Sequence, residues 1–319
     1  MFYKYFSIVL LVMAIPIVAI AQADIPELVA NSRFVEAETA LHSLENAKEK
    51  TSDGTYVFYE EVDRSSADLA KDPETAITAL DKWNQQLPDS SYAHLLRGLT
   101  FKYIAGNVRG TGFSNEVDPN IWPKYERYLN ASRQDLEKAA QLNPASPDPW
   151  VFLETVGRML ADDQLVEQAF QKAISIDPSH YGAYQRKMIS LMEKWGGSNE
   201  EMFAFVQSTV NQKNDPVFQL LILEAHNEMA QRQALKTGGK TYAYFRVPSN
   251  YNTVRAALDQ YMKAYPLSVR ARNWDAKIEY FSGKWDTALK KMKELNNSVD
   301  EEVWSREYFF KVLNWLERR

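Results

Sequence analysis

An all-α solenoid of stacked antiparallel helix hairpins, closed by a C-terminal capping helix, is the fold this sequence predicts. Three observations carry the prediction. Two proline-ended phrases, Leu142-Asn143-Pro144 and Ile176-Asp177-Pro178, stand 34 residues apart and each closes an amphipathic stretch. Between them lie Trp150, Leu153, Phe170 and Ala173, large and small apolar residues at helical spacing. Gly and Pro are few, 12 and 13 in 319 residues, and they fall between periodic stretches, while alternating β-branched runs are scarce.

A 34-residue period with those residue types is the pattern of the tetratricopeptide (TPR) repeat, a pair of antiparallel helices. The expected architecture is therefore a TPR-like α-solenoid, and its elements are read in chain order. Residues 1–23 stand apart. Lys4 is their only charge, and Phe6 to Ile20 is almost wholly apolar, the length of a signal-peptide core and short for a membrane span. Ala21-Gln22-Ala23 then presents the small-x-small form that signal peptidase accepts. The expectation is a signal peptide over 1–23, cleavage before Asp24 and a helical repeat domain over 24–319; the alternative is an uncleaved N-terminal anchor. No Cys follows the apolar run, so a thioether-linked lipid anchor is excluded.

Arg33-Phe34 with Ala37, Leu41 and Leu44 reads as the second helix of a first hairpin, and Ala76, Leu80 and Pro88 as that of another. Tyr92, Leu95, Gly98 and Phe101 read as a following first helix, with Gly98 placed where two helices approach closely. Leu136, Ala139 and Pro144 repeat the second-helix pattern. Trp150 to Pro178 is the best unit, although Glu154 stands where the template prefers Gly. Tyr184, Met188 and Leu191 open the next, and Gly283 to Leu289 matches the turn and second-helix start of a late one. Glu302 to Leu316 carries Trp304, Phe309, Val312 and Leu316 on one face and reads as the capping helix that a stacked array needs. Ser198-Asn199-Glu200-Glu201 is a capping box, Asp72-Pro73-Glu74 sets Pro at a first helical position, and Asp300-Glu301-Glu302 sets three acids at an expected helix start. Two stretches break the rhythm: Asn107 to Pro123, and Thr237 to Asn250 with a short aromatic run read as extended.

His94-Leu95-Leu96-Arg97-Gly98, Val108-Arg109-Gly110, Pro149-Trp150, Lys194-Trp195-Gly196-Gly197-Ser198 and Tyr265-Pro266 to Trp274 occur in that order. The series resembles a bacterial TPR-like family of unknown function with an Arg-Gly motif and a Lys-Trp-Gly-Gly-Ser turn, over roughly residues 70–295. The resemblance implies a helical repeat fold and no activity, and it supplies no catalytic residues.

Composition narrows the function. The formal charge is −5; Lys4 contributes one positive charge, so the remainder carries −6. Lys and Arg are spread along the chain without a basic block of the kind that neutralises phosphates, which argues against nucleic acid. No later segment is apolar enough to cross a bilayer. Cysteine is absent, so packing alone must hold the fold, and the 8 Trp, 17 Tyr and 15 Phe supply wedges for it.

Catalytic and cofactor signatures are missing. His42, His94, His180 and His226 include no pair three or four residues apart, so no helix face offers two metal ligands. Gly238-Gly239-Lys240-Thr241 looks like the end of a phosphate loop, but the Gly needed five residues before Gly239 is Ala234. Asp162-Asp163 and Glu200-Glu201 suggest paired carboxylates, yet the first pair sits at the inter-helix turn of the best repeat and the second starts a helix, where capping and the helix dipole explain them. No cofactor or metal is expected. Arg97, Arg109, Lys194 and Trp195 are the candidate partner-binding residues, because Arg beside Trp is the chemistry of binding hot spots. The alternative is structural: both arginines paired with acids or helix carbonyls, and Trp195 filling a gap. The expected function is an exported, non-catalytic interaction or scaffold protein of a bacterial envelope, periplasmic or secreted, holding an extended peptide or a helix of a protein partner in a concave groove. The alternatives are an envelope hydrolase acting on a polymer and a structural oligomer subunit.

Overall fold

A computed structural model describes residues 23–112, 116–238 and 242–319. Residues 1–22 of the expected signal peptide lie outside the described residues, as do Gly239, Lys240 and Thr241 of the glycine-lysine segment. Among the described residues the secondary structure is helical, with one isolated antiparallel bridge between Lys50 and Tyr56. In chain order the helices are α1 (Ile25–Ala30), α2 (Phe34–Ala47), α3 (Val57–Leu69), α4 (Pro73–Gln86), α5 (Ser91–Arg109), α6 (Trp122–Leu142), α7 (Asp148–Leu160) and α8 (Asp163–Ile176). They continue with α9 (Tyr181–Ser190), α10 (Asn199–Gln212), α11 (Gln219–Thr237), α12 (Tyr242–Phe245), α13 (Pro248–Ala264), α14 (Val269–Ser282), α15 (Trp285–Glu294) and α16 (Arg306–Glu317). This is the all-α, TPR-like stack of hairpins that the 34-residue period predicts.

Local chemistry sets the boundaries. Asp72 accepts from the Thr75 amide at 3.4 Å with Pro73 behind it, Asp162 accepts from the Leu165 amide at 2.9 Å, and Ser198 accepts from the Glu201 amide at 3.1 Å. Each acceptor satisfies a helix-start N–H that has no partner within its helix. In the best repeat, Leu153, Phe170 and Ala173 are buried between α7 and α8, and Trp150 is partly buried. A Cβ on Gly98 would lie 3.0 Å from the Leu136 side chain and 3.1 Å from the Ser132 carbonyl, so glycine lets α5 and α6 touch.

Two expectations are corrected. The aromatic run after Thr241 forms the short helix α12 rather than an extended segment. No strand is there to pair with it, and a helical turn buries Tyr244 and Phe245, the latter stacked 5.9 Å from Phe281. The capping helix starts at Arg306, after a Ser305 cap, not at Glu302. Asp300 and Glu302 are instead drawn to the buried guanidinium of Arg270, at 3.1 and 3.0 Å, and Trp304 donates to Asn273 at 2.9 Å. A buried cation that needs carboxylates outcompetes the dipole of a helix end.

The array also closes on itself. The turn between α2 and α3 reaches the repeats more than 200 residues later. Asp53 accepts from Tyr261 through its carbonyl at 2.8 Å and from Ser268 through its carboxylate. Lys50 pairs with Asp215 at 2.8 Å, and Tyr265 donates to the same carboxylate at 2.6 Å. Gly54 has φ +83° and lies flat against the Tyr265 ring, where any Cβ would collide at 2.6 Å.

Candidate functional site: a polar recess beside a groove filled by its own helix

Closure has a consequence for the groove. Side chains of α3 reach α5, α7, α9 and α14. Asp63 accepts from Lys102 at 3.0 Å and Tyr103 at 2.7 Å and faces Arg186 at 3.5 Å. Tyr59 stacks on Phe152 at 5.0 Å and accepts from the Arg186 Nε at 3.2 Å, and Glu60 faces Arg270 at 4.0 Å. Side chains of α3 thus occupy the space between these helices.

The charges along that contact are strongly perturbed. Burial is the largest influence on Asp63 and would raise its carboxyl, but Lys102 and Arg186 outweigh it and hold it below the usual range. Burial brings Lys102 down to about 8 against the pull of Asp63. Glu154 is 1% exposed, and neither of its carboxylate oxygens has a hydrogen-bond partner among the described residues. Burial pushes it well above the ordinary carboxyl range, outweighing the pull of Arg186, Lys187 and Arg158. The close approach of α7 to α8 falls instead at Gly157, whose Cβ would meet Val166 at 3.0 Å. Glu154 thus departs from the repeat template without breaking it.

A recess of about 340 Å3 remains open between α9, α11 and α14. Arg186, Gln185, Glu224, Asn227, Glu228, Gln231, Trp274 and Glu302 line it, with Lys194 at its edge. Glu224 accepts from Tyr181 at 2.8 Å and Gln185 at 3.0 Å, and burial lifts it to about 7. The Asn227 Oδ1 is buried without a partner. Behind Trp274, Lys277 donates to the Val303 carbonyl with its ammonium 4.8 Å from the Trp274 ring, and burial brings it down to about 7.

The four candidate residues are dispersed. Arg97 forks onto Asp135 with two bonds of 2.8 Å and reaches Asp81 at 2.8 Å, and His94 shares Asp135. Arg97 thus ties α5 to α4 and α6. Arg109 is partly exposed and donates to the carbonyls of Gly110 and Gly112 at 3.0 and 3.1 Å. Lys194 pairs with Glu228 at 2.7 Å at the rim of the recess. Trp195 is 39% exposed beneath the guanidinium of Arg158, 4.9 Å from its ring centroid. Gly196 takes φ +97°, and a Cβ on Gly197 would lie 2.2 Å from the Leu191 carbonyl, so the double glycine sets the turn that presents Trp195.

Sequence reading passed over Arg186, Glu224, Asn227, Gln231 and Trp274 as a group. The available signal was on α11, where Glu224 with Glu228 and Asn227 with Gln231 repeat at four-residue spacing beside buried Leu220, Leu221 and Leu223. On one helix that reads as a solvated face, and only the neighbouring α9 and α14 make it a wall. Among the described residues no group of three or more His, Asp or Glu is arranged to hold a metal, and no helix is long and apolar enough to cross a membrane.

Comparison with known proteins adds the following. Residues 21–150 match the family described as Domain of unknown function (DUF4034). No curated protein matches the chain. Among solved structures, a tetratricopeptide repeat protein from Parabacteroides merdae is similar at 10% identity, with 92% of this chain and 99% of that chain covered and a TM-score of 0.45. A monomeric mutant of IFIT1 with Gppp-AAAA is similar at 15% identity over 84% of this chain and 57% of that chain, TM-score 0.44. Yeast Tom70 follows at 15% identity over 89% and 77%, TM-score 0.15.

Proposed function

We propose that this chain is an exported, non-catalytic interaction protein of a bacterial envelope, and that its ligand is an extended peptide segment held in the recess between α9, α11 and α14. One observation carries the reading: three primary amides, Gln185, Asn227 and Gln231, line the recess, and the Asn227 oxygen is buried with no donor. A primary amide donates and accepts at once, as a peptide group does, so such side chains read backbone irrespective of sequence. A helix, roughly 10 Å wide with its side chains, needs more room than the recess offers. Of the four candidate residues, Lys194 lines the recess, Trp195 and Arg109 lie outside its lining, and Arg97 serves the fold.

Asn227→Leu and Gln231→Leu test the reading by cross-linked recovery of partners from the envelope fraction. Loss of recovery at an unchanged melting temperature supports it. Unchanged recovery with both variants overturns it. The export half is tested separately by mass spectrometry of envelope-fraction protein: a mature N-terminus at Asp24 is expected, and retention of residues 1–23 in most molecules refutes cleavage.

A second reading, hydrolysis of an envelope polymer, draws on Glu224, whose carboxyl is lifted to about 7 in the recess that Glu228 also lines. A carboxyl lifted toward neutrality in a polar recess is the form a general acid takes. Turnover of labelled wall polymer that disappears in Glu224→Gln would favour it over peptide capture.

A further inference from the structure

A second pocket, of about 230 Å3, shares no lining residue with the recess. It opens where the end of α2 meets the turns before α7 and α9. Its apolar wall includes Leu44, Tyr56, Phe58 and Ile176. Its polar groups are almost all acceptors: Glu45, Glu49, Asp148 and Asp177 face it, with Lys48 as the one cation.

Glu45 accepts from Tyr92 at 2.6 Å and from Asn143 at 3.1 Å, and Asp177 accepts from the Ser179 amide at 2.8 Å. Asp148 accepts from Ser146 at 3.2 Å and from His180 Nε2 at 3.3 Å. None of the four pairs with a lysine or arginine among the described residues. Burial, together with Asp177 and Asp148, holds the Tyr56 phenol well above its ordinary value, as a strongly negative pocket would.

His180 points to the ligand's chemistry. It is 2% exposed and lines the pocket. Its Nε2 lies 3.3 Å from the Asp148 carboxylate, and its Nδ1 is buried without a partner among the described residues. The seam on the other side of His180, bounded by Gly54, Thr55, Tyr59 and Gly182, has no room for a water. A metal does not suit the site, since no three of the described carboxylates and imidazoles converge closely enough to hold one.

We propose that this pocket binds an organic cation: an ammonium or guanidinium group on an apolar stem, seated against Tyr56 and Phe58, with Glu49, Asp148 and Asp177 supplying the charge and His180 Nδ1 taking an N–H. Aromatic faces attract a desolvated cation through the ring quadrupole. The volume suits one side-chain-sized group, which a free diamine or a lysine or arginine of a polypeptide can supply.

Calorimetric and NMR titration of the full chain at low salt tests this. The probes are cadaverine and Nα-acetyl-lysine methylamide, with Nα-acetyl-norleucine methylamide as the uncharged control. Binding of at least one cation with Kd of about 1 mM or tighter, without binding of the norleucine control, is the expected result. Glu49 is exposed, so Glu49→Gln should leave the melting temperature unchanged and weaken binding by about three- to fivefold. Tyr56→Leu, which keeps an apolar wall, should weaken it further. Cadaverine binding alone assigns a free amine, and binding of the lysine derivative alone assigns a polypeptide side chain; either supports the proposal. No binding of either cation, equal binding of norleucine, or binding indifferent to both substitutions overturns it.

Discussion

Replacing Lys277 by Met should stabilise the protein at low pH and lose that advantage as pH rises. Lys277 is 5% exposed, and burial lowers it from 10.5 to about 7. The unfolded chain therefore binds more protons than the folded one between about pH 7 and 10.5, and stability rises with pH across that window. Below pH 7 the full penalty applies. A displacement of 10.5 − 7 units at 1.36 kcal/mol each is roughly 5 kcal/mol. Met fills nearly the same volume without charge but forfeits the bond to the Val303 carbonyl, a loss of about 1 kcal/mol. Lys277→Met should thus exceed the native protein by about 4 kcal/mol at pH 6 and fall level with it or slightly below by pH 10.5. Urea melts of both proteins from pH 6 to 10.5 provide the measurement. A variant less stable at pH 6, or two parallel pH profiles, would refute the reasoning and imply that Lys277 stays charged and well paired inside the fold.

Other perturbations follow from the same geometry. Phe170 is packed edge-on against Tyr184 and Phe205 at 5.4 and 5.7 Å, so Phe170→Ala should cost about 3–5 kcal/mol in chemical denaturation. Arg97→Ala leaves Asp135 and its neighbours without their cation and should cost about 3 kcal/mol, the low end for a buried pair, whereas Arg109→Ala should stay within about 0.5 kcal/mol because its bonds are local and exposed. Comparing the two melting temperatures separates the structural arginine from the surface one. Gly197→Ala drives a methyl into the Leu191 carbonyl and should destabilise the fold by about 1–3 kcal/mol, with a loss of Trp195 fluorescence anisotropy marking the turn.

The repeat was legible because its signals are local. Pro144 and Pro178 end helices wherever they stand, and Leu153, Phe170 and Ala173 bury themselves within one hairpin. The site was less legible because its residues acquire meaning only from neighbours far along the chain. Asp63 is an unremarked acid in α3 until Lys102 and Arg186 surround it, across 39 residues in the first case. Glu154 did show, as a carboxyl where the repeat wants glycine, but its burial depends on how α7 packs with its neighbours. Arg97 and Arg109 look alike in sequence, each beside a glycine. They differ because Asp135 projects from α6 toward one and solvent lies beside the other.

The bond from Ser268 to Asp53 spans 215 residues, and its significance extends to the chain's synthesis. A ribosome adds about 5–20 residues per second, so the turn that carries Asp53 waits roughly ten to forty seconds for its counterpart. During that interval α3 has its own hairpin but not α14, so Glu60 waits for Arg270. Stacked repeats ordinarily gain stability one neighbour at a time. Here the last contacts of the first repeats form only when α14 exists, so truncation at the C-terminal end should loosen the N-terminal end, and the two should melt together.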